Sequence, residues 1–297
     1  MSDRPVDRRA SRSSKPSRRA AVAAADPARV LAAFLPGAGE IRRYRRTLVV
    51  GAGKAAASMA SAVEAHWPAD APLEGLVVTR YAHGMPCRRI EVIEAGHPVP
   101  DEAGEAAAAT ILERARALGE DDLLLALISG GGSSLLSLPV ESVPMADLKA
   151  VTRALLASGA PIQEINVVRK HLSRIQGGRL VQQTRARVIA LVISDVAGDD
   201  LSAIASGPCS PDPSSYADAI DVLHRWGVQP PESVAAHLRA GARGTIDETP
   251  KPGDPLFARV RAELVATAHG SLEGGDAVFE RAGIRAAILG DTVTREA

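Results

Sequence analysis

A run of three glycines between serines is the strongest chemical signal in the sequence. Glycine has no Cβ, so successive backbone N–H groups can converge on one anion and form a binding nest. The run follows residues 123–128, whose continuously apolar side chains are typical of a strand buried on both faces. We therefore predict that this run cradles a phosphate group. Its residues are Ser129, Gly130, Gly131, Gly132, Ser133 and Ser134.

A second glycine turn, from Gly51 to Gly53, precedes Lys54 and a predicted helix. We predict that both glycines bind a nucleotide cofactor. The start of the helix favours anions, so Lys54 there can reach a phosphate oxygen. The G-x-G-x-x-A spacing is also a permitted form of the dinucleotide-binding fingerprint, which needs an acidic residue at the end of the next strand. That strand ends at Thr79-Arg80, which has no acidic residue. A dinucleotide site therefore stays open only for NADP, whose 2′-phosphate Arg80 would bind.

Cationic side chains recur at helical spacing after residue 165. The spacing places an amide, a cation and a hydroxyl on one side of the helix: Asn166, Arg169 or Lys170, and Ser173. Such a face suits a negatively charged or polyhydroxylated ligand, although a solvated charged face has the same pattern. We predict that Asn166 and Lys170 bind the cofactor and that Arg169 takes part in catalysis.

Asp195 follows another apolar strand, residues 188–194. Phosphoryl transfer needs Mg²⁺ held by one or two carboxylates, together with cations that neutralise the phosphate. Because Asp195 stands at the strand end, we predict that it binds Mg²⁺ or acts as the base. The nearby Asp199 and Asp200 are better suited to capping the turn or helix that follows.

Two prolines enclose His97 within residues 96–101. They would hold the imidazole rigidly, but prolines at this spacing are also typical of a structural turn. We interpret the segment as a turn.

All these segments follow predicted strands, and strands alternate with helices from about residue 21 onwards. The alternation predicts an α/β fold, a Rossmann-like parallel sheet with helices on both faces. Ligands bind outside the carboxyl ends of the strands in such sheets. We predict four segments: a disordered basic tail (1–20), the Rossmann-like domain (21–240), a linker (241–255) and the start of an incomplete second α/β domain (256–297).

The composition argues against several classes of protein. Lys plus Arg and Asp plus Glu both total 35, and zero net charge disfavours nucleic acid as a partner. No apolar run reaches the roughly 18 residues that span a membrane. The two distant cysteines fit a reduced, cytoplasmic protein, and a homodimer stays open. The Arg/Ser-rich first twenty residues also allow a transit peptide, which Asp3 and Asp7 disfavour.

Seven segments, in this order, resemble the bacterial glycerate 2-kinase family, whose members are also named hydroxypyruvate reductase. The resemblance runs from about residue 21 to the last residue. The segments are 49–55, 96–101, 128–134, 166–171, 192–196, 206–208 and 289–291.

The resemblance implies transfer of the γ-phosphate of ATP to the 2-hydroxyl of D-glycerate, with Mg²⁺, to give 2-phosphoglycerate. It also implies that Lys54 is the catalytic lysine and that the serine–glycine run lies at the active site. The family continues into a carboxy-terminal domain with a catalytic arginine, so we expect a carboxy-terminally truncated member. Two alternatives stay open: an NAD(P)H-dependent hydroxypyruvate reductase, and a non-catalytic protein that binds a phosphorylated metabolite.

Overall fold

The computed structural model describes residues 8–288 and 290, in which six strands form one sheet. The strands are β1 (Thr47–Ala52), β2 (Glu74–Arg80), β3 (Ile90–Ala95), β4 (Leu123–Ser129), β5 (Arg187–Ile193) and β6 (Val260–Ala266). The helices are α1 (Arg8–Ala24), α2 (Pro27–Val30), α3 (Ala38–Ile41), α4 (Ala56–His66), α5 (Glu102–Arg116), α6 (Gly132–Leu135), α7 (Met145–Ala157), α8 (Ile162–His171), α9 (Arg179–Gln182), α10 (Tyr216–Arg225), α11 (Glu232–Ala242) and α12 (Ala268–Arg281). Short 3₁₀ helices span Leu31–Phe34, Ile204–Ser206 and Pro255–Arg259.

The strands are all parallel and run in the order β3-β2-β1-β4-β5-β6. The chain builds outward from β1 to β3 and then returns to the centre, where β4 pairs with the free edge of β1. The helices that follow β1 and β3 pack on opposite faces of the sheet. A crevice therefore opens between the ends of β1 and β4, which is where parallel sheets of this order bind ligands. The predicted Rossmann-like α/β fold is confirmed.

Strand β4 shows how the sheet supports two apolar layers. All seven of its residues are buried. Its leucines and isoleucine alternate between the two faces, because successive strand side chains point in opposite directions. Leu123, Leu125 and Leu127 join the cluster that contains α4, and Leu124, Ala126 and Ile128 join the cluster that contains α5.

A third apolar cluster joins α7, α8, α10 and α11 around the buried Tyr216. It holds α8 next to the 3₁₀ helix that follows β5, where the Asn166 amide group donates to the carbonyl oxygen of Ala203 over 3.4 Å. This small helical unit therefore brings the cationic helix face to the carboxyl end of the sheet. Within the described residues, no helix combines the length and apolar character that crossing a membrane requires.

The amino-terminal segment differs from the prediction, because residues 8–24 form helix α1 rather than a disordered tail. This helix packs against α12, and the hydroxyl of Ser17 donates to the carbonyl oxygen of Gly275 over 3.1 Å. A Cβ on Gly274 would lie 3.0 Å from the Cβ of Ala24, so the two helices approach closely through small residues. The disorder prediction is wrong for residues 8–20, since it considered the segment without its distant partner helix.

The predicted start of a second domain also differs. Strand β6 pairs with β5 and extends the first sheet, so residues 260–266 do not begin a separate one. Residues 285–288 form no strand, although one was predicted over 285–289. Leu289, Asp291 and the predicted loop over 291–294 lie outside the described residues.

Candidate active site

The ends of three neighbouring strands bring together three of the predicted site elements. Lys54 follows β1, the glycine run follows β4 and Asp195 follows β5. The Lys54 ammonium lies 4.0 Å from a carboxylate oxygen of Asp195, and both side chains are about half exposed. A Cβ on Gly130 would lie 1.8 Å from that same oxygen, so only glycine at position 130 leaves room for the carboxylate.

The turn after β1 uses its own backbone N–H groups within the protein. Gly53 donates to the carbonyl of Val78 over 3.1 Å, and Lys54 donates to the carbonyl of Gly130 over 2.9 Å. The next N–H group, that of Ala55, donates to the Ser129 hydroxyl over 3.0 Å. A dinucleotide site needs such N–H groups to bind the pyrophosphate of its cofactor. Because these three groups already donate within the protein, they are not available for that role.

Both glycines of this turn are explained by packing. A Cβ on Gly51 would lie 2.3 Å from the carbonyl oxygen of Leu127, and a Cβ on Gly53 would lie 2.1 Å from the hydroxyl oxygen of Ser129. The sequence predicted that Gly51 and Gly53 bind a cofactor. In the structure they allow β1 and its turn to approach β4, and cofactor binding stays a prediction.

The turn after β4 has the opposite character. Gly131 adopts a left-handed φ of +84°, which glycine permits without steric cost. Among the described residues, the N–H groups of Gly131, Gly132 and Ser133 have no backbone or side-chain acceptor. Three successive unpaired N–H groups at a strand end form the kind of nest that binds an anion. The phosphate cradle that the sequence predicts here would use these N–H groups as its donors.

The serines of the run divide into two kinds. Ser129 is buried and accepts the bond from Ala55, while the hydroxyl of Ser134 donates to the carbonyl oxygen of Gly131 over 3.1 Å. Both therefore hold the turn in shape. Ser133 is half-buried and is the serine of the three that borders the open cleft with its backbone N–H unpaired within the described part of the chain.

A buried hydroxyl connects the glycine turn to α8. The Ser206 hydroxyl lies 2.9 Å from the hydroxyl oxygen of Ser133 and 3.2 Å from the amide oxygen of Asn166. Ser206 has a left-handed φ of +58°, and the preceding Ala205 has a φ of +52°. Each such residue costs about 1–2 kcal/mol, and strain of this kind concentrates at functional sites. Asn166 therefore positions the Ser133 loop through the Ser206 hydroxyl. The sequence predicted that Asn166 binds the cofactor directly.

Arg169 faces the same cleft without an ion-pair partner. Within the described residues no carboxylate lies within 4.0 Å of its guanidinium, which donates to the Asn166 amide oxygen over 3.4 Å. Burial lowers the pKa of Arg169 from its ordinary value, although the group stays protonated near neutral pH. A half-buried guanidinium without a carboxylate partner is a strong binding group for an anionic ligand.

Lys170 lies elsewhere, and its predicted role in cofactor binding is not supported by its position. Its ammonium donates to Asp212 over 2.9 Å, and both side chains are almost fully buried. Burial alone would raise the pKa of Asp212, but the Lys170 charge and the Ser214 hydroxyl hold it below the usual range. One residue along a helix rotates the side chain by about 100°, which separates Lys170 from the face of Arg169.

His97 is a site residue that the sequence prediction missed, because its loop was interpreted as a turn. A Cβ on Gly131 would lie 2.8 Å from the Nε2 atom of His97 and 3.3 Å from the Cε atom of Lys54, so both side chains border the same glycine. Burial, followed by the positive charges of Lys54 and Arg80, lowers the pKa of His97 below the ordinary range. His97 is therefore a neutral imidazole at the cleft near pH 7.

The site offers few carboxylates, which suits a metal ion that is bound mainly by the phosphates of a ligand. Among the described residues, no three His, Cys, Asp or Glu side chains cluster as a metal site. Asp200 caps its own turn by accepting bonds from the N–H group and hydroxyl of Ser202, at 2.8 and 3.0 Å. The half-exposed Asp195 lies beside the anion nest, next to Gly130. One carboxylate suffices for Mg²⁺ that is otherwise held by phosphates and water.

The chain is similar to known proteins over most of its length. The family described as a domain of unknown function, DUF4147, matches residues 15–239. A protein of Agrobacterium vitis named "Putative hydroxypyruvate reductase" is 50% identical over 279 residues, which is 94% of this chain and 61% of that protein. The "Glycerate 2-kinase" of Pyrococcus horikoshii is 43% identical over 257 residues, which is 85% of this chain and 56% of that protein.

A solved structure has the same fold. The crystal structure of glycerate kinase from Thermotoga maritima superimposes with a TM-score of 0.79 and 37% identity, covering 94% of this chain and 64% of that one. The resemblance seen in the seven sequence segments is therefore confirmed. The chain spans less than two thirds of the length of each of these three proteins.

Proposed function

We propose, from the premise that this chain belongs to the DUF4147 family, that it is a glycerate 2-kinase. The reaction is transfer of the γ-phosphate of ATP to the 2-hydroxyl of D-glycerate. One observation carries the proposal: the N–H groups of Gly131, Gly132 and Ser133, which have no acceptor in the described part of the chain, lie between Lys54 and Arg169. Such an arrangement suits a polyanionic donor together with a second anionic substrate.

The chemistry assigns a separate task to each group. Lys54 and the three N–H groups would bind the phosphates and stabilise the negative charge that develops on the transferred group. Arg169 would neutralise negative charge on the phosphates of the donor from the side of the nest away from Lys54. Asp195 would hold Mg²⁺, which neutralises charge on the phosphate oxygens when bound. His97, neutral near pH 7, is placed to accept the proton of the hydroxyl.

The reductase alternative is disfavoured by the turn after β1. A Rossmann-type reductase binds the cofactor pyrophosphate to the N–H groups of this turn. The N–H groups of Gly53, Lys54 and Ala55 already donate to protein acceptors. The guanidinium of Arg80, which would bind a 2′-phosphate, donates to His83 over 2.9 Å.

A coupled assay tests the proposal. The protein is incubated with ATP, Mg²⁺ and D-glycerate, and enolase reports the formation of 2-phosphoglycerate, to which it responds in preference to the 3-phosphate. The proposal predicts enolase-dependent absorbance that requires both substrates. Oxidation of NADH or NADPH by hydroxypyruvate without turnover of ATP would instead support the reductase. Binding of ATP or D-glycerate without any turnover would support the non-catalytic alternative.

The two distant cysteines fit a reducing compartment, and we infer that the protein works in the cytoplasm. The substrates of the proposed reaction are small metabolites. Nucleic acid has no part in this reaction.

A further inference from the structure

An apolar cleft adjoins the anion nest on the side away from Lys54. It lies between residues 98–100, which follow β3, and helix α7. Its inner wall includes Leu138 and Leu148, which are both buried. At its mouth Val99 and Leu156 are each 55% exposed, so apolar side chains border the opening as well as the inner wall.

Cations border this apolar surface. Lys149, Arg153 and Arg169 line the cleft. In the part of the chain that the structure describes, none of the three has a carboxylate within ion-pair distance. An apolar cleft that is bordered by unpaired cations is complementary to a ligand with an apolar body and negative charge.

The cleft is continuous with the anion nest. Ser133, Ser134 and Arg169 line the cleft, and Ser133 also provides one of the three unpaired N–H groups. A ligand that fills the cleft would therefore place its charged end at the glycine turn. D-glycerate has no apolar surface to bury there, whereas a nucleobase has two apolar faces and a polar edge.

We propose that this cleft is the nucleoside subsite: the base and ribose of the nucleoside triphosphate lie against α7 and residues 98–100, and its phosphates extend across Ser133 to Lys54. This inference rests on the proposed function, since it assigns a place to the phosphate donor. Thr152 and Leu156 line the cleft on α7. In this assignment they contact the nucleoside and do not contact the phosphates.

The test compares two ligands that share phosphates and differ in the nucleoside. The dissociation constants of ATP and of inorganic tripolyphosphate are measured by calorimetry for the wild type and for Thr152→Trp. The indole ring would fill the cleft, so ATP should bind about tenfold or more weakly, because the lost contacts are of the size of base stacking. Tripolyphosphate should bind as it does to the wild type.

Two further variants control the comparison. Leu156→Glu changes an already exposed side chain at the cleft mouth, and it should weaken ATP binding in the same way without disturbing the fold. Ala150→Trp places the same indole on an exposed position of α7 outside the cleft, and it should change the affinity for neither ligand.

The outcomes separate this inference from the proposed function. Equal ATP affinity in all three variants and the wild type would overturn the subsite while leaving the kinase intact. The subsite would also be overturned if Thr152→Trp raised the KM for D-glycerate and left the KM for ATP unchanged. A wild type that binds tripolyphosphate as tightly as ATP would have the same effect, and a wild type that binds neither ligand would overturn both proposals.

Discussion

The backbone N–H group of Lys54 donates to the carbonyl oxygen of Gly130 over 2.9 Å, which joins the turn after β1 to the turn after β4. This bond has two consequences. It engages a donor that a dinucleotide-binding turn would offer to its ligand, and it fixes the lysine beside the neighbouring glycine nest. The site thus uses the familiar strand–glycine–helix turn as a support for Lys54, while the turn after β4 provides the N–H groups.

The first prediction concerns the space above Gly130. In Gly130→Ala the new Cβ would displace the carboxylate of Asp195, which lies 1.8 Å from the Cβ position. We expect kcat to fall by about 100-fold, as for displacements of about 1 Å in other active sites. Gly37→Ala is the matched control, because its Cβ would meet no atom within 4 Å. Equal rates for the two variants would contradict the arrangement of Asp195.

The second prediction separates two adjacent cations. Lys170→Met leaves the carboxylate of Asp212 buried without its ion-pair partner, which should lower the free energy of unfolding by about 3–5 kcal/mol. Arg169→Met removes no ion pair among the described residues, so it should reduce kcat/KM by about 100-fold with a smaller loss of stability. Chemical denaturation and steady-state kinetics measure both. A large loss of kcat/KM in Lys170→Met, together with a large loss of stability in Arg169→Met, would show that Lys170 and not Arg169 acts in the site.

The third prediction concerns acid stability. Burial would raise the pKa of Glu248, but hydrogen bonds from His171 and from the N–H groups of Thr249 and Tyr216 lower it to about 2. Because the pKa is lower in the folded state, the unfolded state binds the proton more tightly. The stabilisation is thus complete above the ordinary value of 4.5 and disappears as the pH falls towards about 2.

Denaturation curves at several pH values measure this effect. Glu248→Gln should have a flatter stability profile than the wild type below pH 4.5, since the titrating group is gone. Parallel profiles for the two proteins would show that this carboxylate does not titrate as the structure implies.

The fourth prediction uses His97 as a reporter of the site. The Lys54 charge is the second contribution, after burial, that lowers the pKa of His97. Replacing Lys54 with Met removes a positive charge, so protonation of the imidazole becomes easier and its pKa should rise. Titration of the His97 ring by NMR measures this directly, without any substrate. An unchanged pKa would mean that the two side chains do not face one cleft.

Much of the fold followed from the sequence because its pattern is local. The apolar run of β4 and the alternation of strands with helices predict the parallel sheet, and the strand ends identify the positions of Lys54 and Asp195. The helix over residues 8–24 was missed since its stability comes from packing on α12, more than 240 residues later in the chain. Such a contact leaves no periodic signal near the segment itself.

Within the site, the sequence predicted residue types better than it predicted roles. The glycine run and the pair Gly51 and Gly53 have the same sequence signature, and only the structure shows that Gly51 and Gly53 also allow close packing of β1 on β4. Arg169 and Lys170 are adjacent on a helix, and only the position of Asp212 decides which of them faces the cleft. His97 was assigned to a turn because its proximity to Gly131 depends on the order of strands in the sheet.

The most direct test of the central claim is the rate of Lys54→Ala with ATP, Mg²⁺ and D-glycerate in the enolase-coupled assay. The side chain is about half exposed, so the variant should fold normally, as circular dichroism would verify. We expect kcat to fall by about 100-fold or more, because a cation at the transferred phosphate stabilises the transition state. A folded Lys54→Ala variant that forms 2-phosphoglycerate at the wild-type rate would contradict the assignment of this site to phosphoryl transfer.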